Sequence, residues 1–174
     1  MARLRKFVCY RHLERPNTRK SKYRKKSFVR GNPVCKVVKF NVGNLSGSFS
    51  HRLDLFVKEP LQIRDNALES GRTTATRLLE KTLGKNGFRL QVRTYPHHIL
   101  REHALAAGAG ADRFSSGMAH AFGKPVGNAV QLKENQIIMS VYVNEISINT
   151  ARDALKKANY KLPIKCRISV KKIN

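Results

Sequence analysis

TARDALKKANYKLPIKCRISVKK, running from Thr150 to Lys172, sets two hydrophobic periods side by side. Before Pro163 the apolar residues Ala151, Ala154, Leu155 and Ala158 recur every three to four positions, the spacing of one helical face. Thr150 and Asp153 have the spacing of a capping box, Lys156, Lys157 and Lys161 suit the negative end of the helix dipole, and Pro163 ends the helix. After the proline, Ile164, Cys166, Ile168 and Val170 alternate with Lys165, Arg167, Ser169 and Lys171, a strand with one apolar and one basic face. Helix and half-covered strand in one segment point to α+β.

The same two periods recur upstream. Phe88, Leu90 and Val92 alternate with Arg89, Gln91 and Arg93; Ile137, Met139, Val141 and Val143 repeat the pattern. His51 to Lys58 reads as a strand with Leu53, Leu55 and Val57 on one face, and Lys36 to Phe40 as a shorter one. Pro60 suits the first turn of a helix whose buried stripe is Ile63, Ala67, Gly71, Ala75, Leu78/Leu79 and Leu83, capped by Gly84 and followed by a tight turn at Gly87. Two main helices and several alternating strands predict a two-layer α+β domain, its sheet mixed or antiparallel because half the strands keep a polar face. That face is cationic and offers a surface to RNA.

With 35 Lys and Arg against 11 Asp and Glu, the 174-residue chain has a formal net charge of +24. Such a surface repels itself unless a polyanion neutralises it, and nucleic acid fits best because each neutralised phosphate releases counterions. Residues 1–34 form a basic segment with Arg3, Arg5, Arg11, Arg19, Lys20, Arg24 and Arg30 as phosphate clamps, and Tyr10, Tyr23 and Phe28 available to stack on bases. Residues 35–174 form the folded body, with Arg89, Arg93, Arg101, Arg113, Lys124, Lys165 and Arg167 as further RNA contacts. No apolar run is long enough to span a bilayer and no signal-peptide core follows MARLRKF, so a cytosolic protein without membrane contact is expected. Cys9, Cys35 and Cys166 are widely separated and incidental.

Five of the eleven glycines lie between Gly108 and Gly127, inside a weakly charged stretch with no clean period, which predicts a long glycine-rich loop at about 101–128. The run from Gly117 through Gly123-Lys124-Pro125 is a near miss to a phosphate-binding loop. It has one residue too many between its glycines and a proline where Ser or Thr would ligate magnesium. GAGADR lacks the third glycine of a dinucleotide fingerprint. His97, His98, His103 and His120 lack the partners of a metal site, with one of His97 and His98 expected to pack and the other to touch a phosphate or base. No nucleophile, base and orienting group converge, so no metal, cofactor or catalysis is expected.

GADRFSSGMAHAFGKPVG (Gly110–Gly127), with NGFRLQVRTYPHH before it and ARDALKKANYKLPIK after, resembles the universal large-subunit ribosomal protein sixteen family in its archaeal/eukaryotic branch. The chain lacks the longer tail of eukaryotic members, which points to an archaeal source. The resemblance implies an α/β-hammerhead-like fold, no enzymatic activity, and binding to large-subunit rRNA beside the peptidyl-transferase centre, among neighbouring ribosomal proteins. It implies that Arg101, His103, Gly108, Gly110, Asp112 and Arg113 lie on a loop facing the tRNA acceptor arm. It also implies that Gly117, Met118, Phe122, Gly123, Lys124 and Pro125 form a turn packed on RNA. After Arg101 the sequence reads Glu-His-Ala-Leu-Ala-Ala-Gly, without the lysine of some eukaryotic relatives, so backbone and shape contacts are expected of the tip. No homo-oligomer is expected. The competing readings are an RNA-modifying enzyme whose glycine-rich loop holds a nucleotide, and a DNA-packing protein.

Overall fold

The alternating stretches pair into two antiparallel sheets rather than one. The computed structural model describes residues 5–14, 16, 18, 23, 25, 33–103, 105–106, 108–115 and 117–173. The strands are β1 (Asn41–Gly43), β2 (His51–Val57), β3 (Leu61–Arg64), β4 (Arg89–Val92), β5 (His98–Glu102), β6 (Lys124–Leu132), β7 (Ile137–Val143) and β8 (Cys166–Lys172). The helices are α1 (Asp65–Leu83) and α2 (Ile148–Asn159). One sheet has the order β1-β4-β7-β2-β8, the other β3-β6-β5.

Register explains the core. Leu53 lies between Val141 and Val170, Leu55 between Met139 and Ile168, and Leu90 opposite Val141. These side chains form one apolar face, fully buried except on edge strand β8. Ala151, Ala154, Leu155 and Ala158 of α2 and Leu68, Ala75 and Leu79 of α1 complete the layer above it. Gly71 lies where the helices approach, and a methyl there would just touch the Ala158 carbonyl at 3.4 Å.

Several local readings are corrected. Lys36 to Phe40 is not a strand: the Lys36 amide donates to Asp65 at 3.2 Å and the Val38 amide to Glu69 at 3.4 Å, so α1 carboxylates take donors a ladder would have used. Pro60 precedes β3, not a helix, and Ile63 is a strand residue opposite Val130. The α1 stripe therefore runs through Leu68, Gly71, Ala75 and Leu79. Thr150 caps nothing, because α2 begins at Ile148 behind a 3-10 turn at Glu145–Ser147, and Asp153 instead pairs with Lys156 at 3.3 Å. Beside a register shift at Leu55/Phe56, Ile138 takes the fully buried place expected of Ile137. The 101–128 stretch is strand at both ends, leaving 103–123 as the connection between β5 and β6. Among the described residues no helix is long and apolar enough to cross a membrane.

Candidate nucleic-acid interface

Because side chains alternate along a strand, burying Leu53, Leu55, Leu90 and Val141 turns their neighbours to the opposite face of the five-stranded sheet. Lys171, Arg52, Tyr142 and Arg89 form one row across it, and Ser169, Asp54, Ser140 and Gln91 the next. The Arg89 guanidinium sits 5.3 Å from the Tyr142 ring and that of Arg167 sits 5.6 Å from Phe56. Arg93 donates to Gln91 at 3.0 Å. One carboxylate lies in this field: fully buried Asp54 accepts from Arg52 at 3.0 Å and from Ser140 at 2.6 Å, so it is satisfied within the face. Among the described residues Lys171, Arg89, Arg93 and Arg167 pair with no carboxylate. Predicted contacts Arg89, Arg93 and Arg167 are brought together here, and Lys165 is exposed just before β8. Lys171, already read on the basic face of the last strand, joins them, and Arg52, Tyr142 and Phe56 of the same face were legible in principle from the even positions of β2 and β7.

The smaller sheet carries the N-terminal segment and the loop. Tyr10 is not a free stacking group: it is buried against Leu100 and Ala129, and its hydroxyl donates to Glu102 while accepting from the Arg5 amide at 3.1 Å. Gln62 donates to the Tyr10 carbonyl at 2.9 Å and Arg64 to the Arg5 carbonyl at 2.9 Å. Tyr10 thereby ties the start of the chain to the root of the loop. Arg11 is exposed, whereas Arg3, Arg19, Lys20, Arg24, Arg30 and Phe28 lie outside the described residues.

Arg101 is spent inside the protein. Its guanidinium lies 3.6 Å from the centre of the Phe122 ring and donates to the Phe122 carbonyl at 2.6 Å, clamping the two ends of the loop. Burial pushes its pKa down, with Glu14 opposing. Between the clamped ends, Gly108, Gly110 and Gly117 have positive φ and face open space. Arg113, Met118 and Lys124 are exposed, Pro125 belongs to β6, and Asp112 lies in a 3-10 turn. Phe114 is 83% exposed at the tip, a contact-ready side chain that sequence reading missed for want of any period around it.

His98 is the packed histidine and His97 the exposed one. Burial lowers the His98 pKa, opposed by Glu14 and reinforced by Arg101. A histidine kept neutral on folding contributes stability that is complete above its ordinary value near 6.5 and lost as pH falls through the lower folded value. Urea midpoints should therefore be flat above about pH 6.5 and fall below it, and His98→Gln should weaken that acid dependence. An unchanged acid limb in the variant would remove His98 as its source. Among the described residues no group of three His, Cys, Asp or Glu could hold a metal ion.

A cationic sheet face joined to a clamped, low-charge loop is matched by sequence relationship. The profile described as "Ribosomal protein L16p/L10e" matches residues 18–169. The chain belongs to this ribosomal protein family. It is similar to "Large ribosomal subunit protein uL16" of Methanococcus aeolicus, with 40% identity over 97% of this chain and 95% of that one. The protein of the same name from Archaeoglobus fulgidus is 44% identical over 94% and 90%, and that of Methanospirillum hungatei is 46% identical over 84% and 86%. This is a structural, non-enzymatic family.

Proposed function

We propose that this chain is a structural constituent of the large ribosomal subunit. In this reading the sheet face and basic N-terminal segment hold rRNA, and the 103–123 loop reaches toward the tRNA acceptor arm near the peptidyl-transferase centre. The observation that carries this is the row Lys171–Arg52–Tyr142–Arg89, with Arg93 and Arg167 beside it, on a sheet face whose one carboxylate is internally satisfied. Cations interleaved with aromatic rings suit phosphate and unpaired bases together. The loop supports the second half of the reading. Gly108, Gly110 and Gly117 hold positive φ in open space, and Leu105, Phe114 and Met118 are exposed beside them, so it can enter a crowded RNA pocket by shape. The chain acts as a single copy among neighbouring ribosomal proteins.

The test is binding to large-subunit rRNA fragments across a salt series. The wild-type chain should show a steep log–log slope, and Arg93→Gln with Lys171→Gln should make that slope shallower by about one for each phosphate no longer neutralised. Tight binding that ignores salt, or an unchanged slope in the double variant, would defeat the assignment of this face.

A further inference from the structure

Residues 93–97 carry the chain from the five-stranded sheet to the smaller one, and Tyr95 and His97 there form with Phe40 an aromatic cluster next to Arg93, at the border of the cationic sheet face. The Tyr95 ring stacks on Phe40 with centroids 5.3 Å apart and planes 23° from parallel. The His97 ring lies 4.6 Å from Tyr95, tilted by 48°. The His97 amide donates to the Tyr95 carbonyl at 3.0 Å across Pro96, a tight turn that holds the two rings together. On the other side the Phe40 carbonyl accepts from the Val92 amide at 2.7 Å, which fixes Phe40 to β4. Tyr95 is 50% exposed and His97 is exposed. A cleft of about 220 Å³ opens beside them, lined by Thr18, Pro33, Cys35, Pro96 and Asn128.

A single exposed aromatic residue is ordinary. Three rings held in contact on the surface of a chain with net charge +24 form a stacking surface. Neither 33–53 nor 92–101 contains an Asp or Glu, the nearby α1 carboxylates Asp65 and Glu69 are held by the Lys36 and Val38 amides and, for Glu69, by Arg72, and exposed Lys36, Lys39 and Arg93 flank the rings in sequence. This charge pattern suits a partner whose flat rings are joined by phosphates. We propose that the Phe40–Tyr95–His97 cluster is a platform on which one unpaired base of the RNA stacks. The proposal rests on the reading of the protein as an rRNA binder. The platform is tolerant of base identity, because every base presents a π face.

The experiment uses the full chain and a single-stranded RNA 12-mer carrying one central 2-aminopurine, read by its fluorescence and by binding across a salt series. Stacking should quench the probe on binding. Tyr95→Ala should abolish the quenching and weaken binding by roughly five- to a hundred-fold, with the salt slope unchanged, because a ring and not a charge is removed. Tyr95→Phe should restore both quenching and affinity. Binding with a steep salt slope but no quenching would overturn the platform and leave the rRNA-binding reading standing. A Tyr95→Ala protein within about two-fold of wild type would do the same. No binding by the wild-type chain at any salt would overturn both.

Discussion

Gly123→Ala should cost about 2–4 kcal/mol and lower the thermal midpoint by roughly 4–12 °C. Gly123 has φ +76°, where an L-residue is strained by about 1–2 kcal/mol before any neighbour is considered. Its surroundings add the rest. A β-carbon there would stand 2.8 Å from both the carbonyl carbon and oxygen of Glu102 and 3.1 Å from the His103 amide, and backbone atoms within a strand cannot swing aside as a side chain would. Glu102 pairs with Lys124 at the end of the β5–β6 ladder, so the clash opens the ladder where the loop leaves it. The Arg101–Phe122 clamp and the Tyr10–Glu102 hydrogen bond should both loosen. Gly110→Ala is the control: φ is +78°, yet nothing lies within 4 Å, so only the backbone strain applies. Equal midpoint losses in the two variants would show that the close approach to β5 contributes nothing.

That pair of glycines also marks where sequence reading stops. Strands β2, β4 and β7 and the inward face of α2 were legible because one side of each is buried, and burial writes a period into the sequence. Leu53, Leu55, Leu90 and Val141 lie in the places their spacing predicted. Strands β3, β5 and β6 were not legible. In β6, Gly127, Asn128, Ala129 and Val130 are all buried in succession, so no alternation survives. Asn128 is tolerated inside because it donates to the Pro33 carbonyl at 2.7 Å, a partner 95 residues away that no local pattern announces. The clamp made by Arg101 was hidden for a related reason. A positive charge in a basic chain looks like a phosphate contact, and only the fold places Phe122 beneath it. Glycine spacing and weak charge mark a loop at about 101–128, whereas its limits at 103–123 and its division into clamped ends and an open tip required the strand ends and the backbone angles at Gly110, Gly117 and Gly123.

Tyr10→Ala should detach residues 5–14 from the smaller sheet and raise cleavage by trypsin at Arg5, Lys6 or Arg11 by about a hundred-fold, while leaving the main core folded. Excising a buried aromatic ring typically costs about 3–5 kcal/mol. Here the loss falls on a small cluster formed with Leu100 and Ala129, separate from the larger core, so the segment opens locally before the domain unfolds. Tyr10→Phe keeps the ring and removes the hydroxyl, leaving Glu102 and the Arg5 amide without their shared partner. It should be milder, at about 1–3 kcal/mol. The consequence reaches the loop, because Glu102 is the residue from which the 103–123 connection departs. With Tyr10 in place, residues 5–14 and the loop root are one unit, so what braces the first also braces the second. Tyr10→Ala should therefore weaken rRNA binding and also increase amide hydrogen exchange in β5 and at the start of β6. Faster exchange confined to residues 5–14, with β5 and β6 as protected as in the wild type, would show that the N-terminal anchor and the loop are mechanically independent.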